Sequence, residues 1–161
     1  MKKLLGLEPL DREGGWFAET YRARETIPAG ALGAGWPEAR SLATAIYYLL
    51  APGTFSTLHR LRSDELFHFY LGDPVEMLQL LPDGTGRVAV LGTDLASGMR
   101  PQLVVPRGVW QGARLHADGR FALLGSTVSP GFDAADFELG CRDTLLATHP
   151  AFRERIVALT R

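Results

Sequence analysis

Short apolar runs alternate with turn signals at roughly ten-residue spacing through the middle of this chain, the rhythm of an all-β sandwich or barrel. The runs are 42–50, 65–71, 75–81, 87–91, 102–105 and 120–128. Between them lie Pro52-Gly53, Gly72-Asp73-Pro74, Pro82-Asp83-Gly84 and Asp118-Gly119. Asp-Gly pairs supply the positive backbone torsions of tight hairpins, so these breaks read as strand reversals rather than linkers. Residues 26–40 carry repeated glycine and proline and read as one long loop, and 16–21 as a first strand. From Asp143 onward, Leu145, Leu146, Phe152, Ile156 and Leu159 fall at helical spacing around Pro150, which predicts two short helices covering one end of the barrel. One domain over 1–161 is expected, with a barrel core over about 16–130 and a helical cap over about 136–160.

Composition narrows what such a domain does. Seventeen basic residues against 18 acidic ones leave a net charge of -1, so no surplus is available to neutralise phosphate backbones, and a nucleic-acid partner is excluded. No stretch reaches the ~20 apolar residues of a membrane span. Met1-Lys2-Lys3-Leu4-Leu5 opens like a signal peptide, but charge and Pro9 follow with no apolar run. A lone cysteine, Cys141, offers no internal disulfide. The cytoplasm is the expected compartment.

One stretch is denser in constraint than the rest. In GTFSTLHRLRSDELFHFYLG, Gly53 is followed by His59, Leu61, Glu65 and Gly72. This run resembles the first signature of the cupin superfamily, with Leu61 where the second histidine of an H-x-H pair stands. The second signature is matched by Pro106-Arg107-Gly108, with Gly98 two residues further from the proline than usual and Gln111 in place of a histidine. Glu13-Gly14-Gly15-Trp16-Phe17, Ile46-Tyr47-Tyr48-Leu49-Leu50 and Val105 to Gln111 extend the likeness over roughly Leu7 to Asp136. Together they resemble the cupin-5 (DUF985) group of small single-domain proteins. The resemblance implies a jelly-roll β-barrel that pairs as a homodimer, and it implies no particular reaction.

Three readings of the barrel interior stand side by side. In the metal reading, His59, Glu65 and Gln111 carry over as ligands of a weakly bound divalent ion. His68 substitutes only if a bulge turns it inward, because alternation places Phe67 and Phe69 on the face of Glu65. In the metal-free reading, which resembles the sugar-nucleotide epimerases of the superfamily, His59 is the general base, Glu65 orients it, and Tyr48, Tyr47 or Tyr70 returns a proton. In the binding reading, Trp110, Phe55, Phe67 and Tyr48 form walls, while Ser56, His59, Glu65, Gln79, Gln111 and Arg107 make polar contacts to a sugar-like or nucleotide-like small molecule.

Other features are expected to be structural. Glu13-Gly14-Gly15 reads as a turn, Phe67, Phe69 and Phe121 as core, and Asp133, Asp136 and Glu138 as a solvated loop. His116 and His149 are expected to face water, and Cys141 to pack beneath the terminal helices. Arg60 and Arg62 flank Leu61 and should point away from His59, towards a dimer contact.

Overall fold

The computed structural model describes residues 1–33, 35–116 and 118–161. In chain order the elements are α1 (Lys2–Leu5), β1 (Glu8–Pro9), β2 (Trp16–Arg22), β3 (Thr26–Ile27), β4 (Arg40–Ser41), β5 (Thr44–Leu50), β6 (Phe55–Leu61), β7 (Asp64–Gly72) and β8 (Val75–Leu80). They continue with β9 (Gly86–Leu91), β10 (Gln102–Val105), β11 (Trp110–Leu115), β12 (Ala122–Ser129), a 3-10 turn (Ala134–Asp136), β13 (Phe137–Leu139), α2 (Arg142–Thr148), a second 3-10 turn (Pro150–Phe152) and α3 (Arg153–Ala158). Two antiparallel sheets, ordered β1-β2-β5-β12-β7-β10 and β13-β6-β11-β8-β9, carry the fold, and β3 and β4 make a small separate ribbon. This is the jelly roll, two sheets closed over one interior.

The main core lies between the sheets. Tyr48, Leu50, Phe67 and Leu124 from the six-stranded sheet meet Val75, Met77, Leu91 and Ala113 from the other. Several strands are nonetheless apolar on both faces, because their outer faces are also covered. Leu58, Leu78 and Leu80 point outward and pack under Leu145, Ile156 and Leu159 of the terminal helices. Leu49 and Leu123 pack outward under Leu7, and Lys2 sits 3.1 Å above the Trp16 ring centre. Burial on both faces explains why 75–81 and 120–128 read as nearly continuous apolar runs.

Several expectations are corrected here. The terminal helices cover the outer face of the five-stranded sheet, not an end of the barrel, since the residues they contact are the out-facing set of β6 and β8. The 26–40 loop contains the β3–β4 pairing. Cys141 is exposed at the start of α2. His149 is buried, with Nε2 2.8 Å from the Leu81 carbonyl oxygen. Asp136 is buried rather than solvated, because Arg40 from β4 grips its carboxylate with Nε at 2.7 Å and Nη2 at 3.1 Å.

Candidate functional site

A cavity of about 360 Å³ opens at one end of the barrel, and six strands and the turns before β2 and before β13 contribute to its wall. Its depth is set by in-facing side chains at alternate positions: Thr44 and Ile46 on β5, Ser126 and Val128 on β12, Glu65 on β7, and His59 and Leu61 on β6.

Two bulges set which polar groups enter. Along β11, Gln111 pairs with His59 and Ala113 with Ser56, so β6 carries one residue more than its partner over this stretch. Ser56 and His59 therefore face inward together although they are three residues apart. The same device occurs in β2, where Glu19 pairs with Ile46 and Arg22 with Thr44 across a register shift. Glu19 and Arg22 thus both line the cavity, joined by a bidentate pair of 3.0 and 2.7 Å. A bulge re-aims a side chain without ending the sheet, and it does so here on both sides of the cavity.

His59 is buried and fixed. Its Nδ1 lies 2.8 Å from the Thr57 carbonyl oxygen, which can only accept. Nδ1 must therefore carry the proton, and in the neutral ring Nε2 keeps its lone pair. One ring face stacks on Phe137, with centroids 5.0 Å apart and planes 22° apart. Glu65 is buried too. Ser126 Oγ donates to one carboxylate oxygen and Gln111 Nε2 to the other. Burial pushes the Glu65 carboxyl above the usual carboxylate range, and the nearby Glu13 charge adds to this, while His59, Ser126 and Gln111 pull the other way.

Glu13 reaches the cavity from the turn before β2 and accepts a 2.6 Å bond from Ser56 Oγ. The turn is possible because Gly14, at φ 111°, lies so close to Phe55 that an added Cβ would sit 2.3 Å from its carbonyl oxygen.

The residues singled out from sequence divide into groups. His59 and Glu65 line the cavity, and Gln111 stands beside them, paired with His59 and bonded to Glu65. Ser56 touches the cavity through Glu13. Tyr48 and Phe67 lie in the core rather than on the cavity wall, and the Tyr48 hydroxyl donates to the Gly14 carbonyl at 2.9 Å. Burial holds that phenol well above its ordinary pKa. Gln79 also faces inward, opposite Gln111, but its amide is taken up by the Val104 carbonyl at 3.1 Å and by Arg87 Nε at 2.8 Å. Trp110 and Phe55 face outward under the terminal helices, and Arg107 lies on the surface outside the barrel. Tyr47 and Tyr70 meet edge-to-face 6.1 Å apart, away from the cavity. His68 points outward, near Thr127 Oγ1 and Gln102, as alternation requires.

Sequence reasoning missed Arg12, Glu13, Glu19, Arg22, Ser126 and Phe137 as wall residues. The opposite charges at 19 and 22 are the one signal that was available for any of them.

The family model described as "Cupin superfamily (DUF985)" matches residues 2–140. The chain belongs to that family. Among solved structures, this cupin superposes on a protein from Shewanella oneidensis at a TM-score of 0.85, with 38% identity over 99% of this chain and 94% of the other. A hypothetical protein from Leishmania major gives a TM-score of 0.88 at 30% identity, covering 99% and 96%. An uncharacterised protein of Saccharomyces cerevisiae is 31% identical over 133 residues, which is 78% of this chain and 66% of that one. Oxalate decarboxylase from Bacillus subtilis shares the fold at a TM-score of 0.56 and 15% identity, and this cupin spans 35% of its length.

The metal common in cupins can be tested against the donors present. Leu61 lies on the face of His59 and presents methyl groups where a second imidazole would stand. Gln111 turns its amide nitrogen, a donor, towards Glu65, and both Glu65 oxygens already accept hydrogen bonds. Among the described residues, no three His, Cys, Asp or Glu side chains group as a metal set. These residues do not fit a first-row transition-metal centre.

Proposed function

We propose that this cupin binds a sugar-like or nucleotide-like small molecule in the barrel cavity and moves a proton on it without a metal, as an isomerase or epimerase does. The observation that carries the reading is the fixed tautomer of His59. Its Nδ1–H is held by the Thr57 carbonyl, and Nε2 is left as a proton acceptor in a buried pocket. Glu65 supplies the complementary group, a carboxyl that burial inclines to keep its proton.

On a substrate with a hydrogen beside a carbonyl, His59 Nε2 takes the carbon-bound proton and the C–H electron pair moves into an enol. Glu65 donates its proton to the carbonyl oxygen as the charge develops. Where the first carbon bears a hydroxyl, return of the imidazolium proton to the neighbouring carbon of the enediol, while Glu65 takes the proton of that first hydroxyl, gives the isomer and restores both groups. Phe17, Phe132 and Phe137 offer aromatic faces for a ring. Gln111 Oε1, buried with no partner among the described residues, is an acceptor open to a substrate hydroxyl. Glu65, not Tyr48, is the proton donor in this reading, because the Tyr48 hydroxyl donates to the Gly14 carbonyl.

A homodimer and a cytoplasmic setting belong to the same proposal. Exposed Tyr70 and Val104, on neighbouring strands β7 and β10, support a partner face there.

The test is proton exchange in deuterated water, followed by NMR on a panel of ketose phosphates and nucleotide-linked keto sugars. Deuterium should enter the carbon beside the carbonyl with the native protein and not with His59→Asn. Saturable binding with no exchange for any panel member would make the pocket a binding site without turnover and contradict the reading.

A further inference from the structure

A second concavity of about 350 Å³ lies outside the barrel, and Arg60, Arg62 and Arg107 converge on it from the end of β6, the β6–β7 turn and the β10–β11 turn. Leu61 and Phe137 line both concavities, so the paired backbones of β6 and β13 form the wall between them.

We infer that this pocket is a binding site for the phosphate group of a small phosphorylated molecule. The states of the three arginines favour an anion of that geometry. Two of them are held in place before any ligand arrives. The Arg60 guanidinium lies 4.4 Å from the Trp110 ring centre and is tied to Glu138 at 2.7 Å. Arg62 lies 5.9 Å from the Trp36 ring centre, and its Nη1 donates to the Gly35 carbonyl at 2.5 Å. A guanidinium seated over a ring keeps donors to spare: Arg60 Nη1 and Arg62 Nη2 have no partner among the described residues. The third, Arg107, has no side-chain hydrogen bond or ion pair among the described residues; its backbone N–H alone is used, by Asp64 at 2.8 Å.

The charge on the lining is also uncancelled. Glu138 offsets Arg60, and Asp136 at the floor, gripped by Arg40, also lies 3.5 Å from Arg62 Nε, which leaves the Arg107 side chain with no acidic partner among the described residues. Three arginines against two acids leave one net positive charge on the lining of a concave surface, in a protein whose overall charge is -1. Arginine forks match the oxygens of a phosphate monoester two at a time, and a concavity reduces the screening that weakens such contacts on open surface. The inference does not depend on proton chemistry in the barrel.

Calorimetric titration with inorganic phosphate and with glycerol 3-phosphate, at constant ionic strength balanced by chloride, tests it. One saturable site per chain is expected. Arg107→Gln, an exposed change that leaves the fold untouched, should weaken binding about tenfold or more, and so should Arg62→Gln. His59→Asn should leave it unchanged. Absence of saturation, indifference to Arg107→Gln, or loss of binding in His59→Asn would each overturn the inference, the last by placing the anion inside the barrel. Vesicles containing phosphatidic acid should not sediment the protein; sedimentation without binding of the soluble phosphates would overturn the small-molecule assignment.

Discussion

At Glu65, burial favours the neutral acid while hydrogen bonds from Ser126 and Gln111 favour the carboxylate, and burial wins. The folded protein therefore holds this proton to higher pH than the unfolded chain does. Below the ordinary value of 4.5 both states are protonated and burial of Glu65 carries no charge penalty. As pH rises through the higher folded-state pKa, that advantage is lost and stability falls. Asp73, Asp83 and Asp94 act in the opposite sense, since hydrogen bonds lower their pKa values. The clean comparison is thus native protein against Glu65→Gln. Urea midpoints from about pH 4 to about pH 8 should show a decline with pH in the native protein relative to the variant. Parallel curves would mean that Glu65 titrates normally. His59 and Glu65 were legible in the sequence because motif spacing marks them without any knowledge of strand phase. Glu13 was not, because nothing in Glu13-Gly14-Gly15 says that the turn runs back against Phe55 and delivers a carboxylate to the cavity.

The same limit operates at the scale of the element. Strands rich in apolar residues, such as β5, β8 and β12, announce themselves. β6 and β11 do not, because the polar Ser56, Thr57, His59 and Gln111 interrupt them while lying buried. Bulges are a further loss, since one inserted residue turns a spacing of two into three, and no sequence rule places it. Long-range ion pairing is equally hidden. Arg40 and Asp136 are 96 positions apart, yet their side chains are 4% and 3% exposed and tie β4 to the turn before β13. A charge left buried without its partner is costly, so Asp136→Asn should destabilise the fold by about 3–5 kcal/mol in urea unfolding. A loss below about 1 kcal/mol, the range of a surface pair, would show that Arg40 finds water instead. The turn leads directly into Phe137 of β13, which stacks on His59, so the same variant should also loosen the cavity wall.

For the whole molecule, fold and chemistry separate. The jelly roll follows from apolar runs and turns, and it is shared with proteins of 15% identity. In the proposed reading, the chemistry turns on two positions where this chain departs from the cupin signature it resembles: Leu61 in place of one histidine and Gln111 in place of another. The first presents no donor to the cavity, and the second points an N–H at Glu65. The proposed chemistry has the barrel centre handle protons without a metal. Elemental analysis tests it most directly, on protein purified without an affinity tag or chelator, alongside His59→Ala and with thermal midpoints taken in the presence of manganese, iron, nickel and zinc. The expected result is metal far below one per chain in both proteins, and midpoints that added metal does not raise. Near-stoichiometric metal in the native protein that disappears in His59→Ala would make the barrel a metal centre and overturn that chemistry.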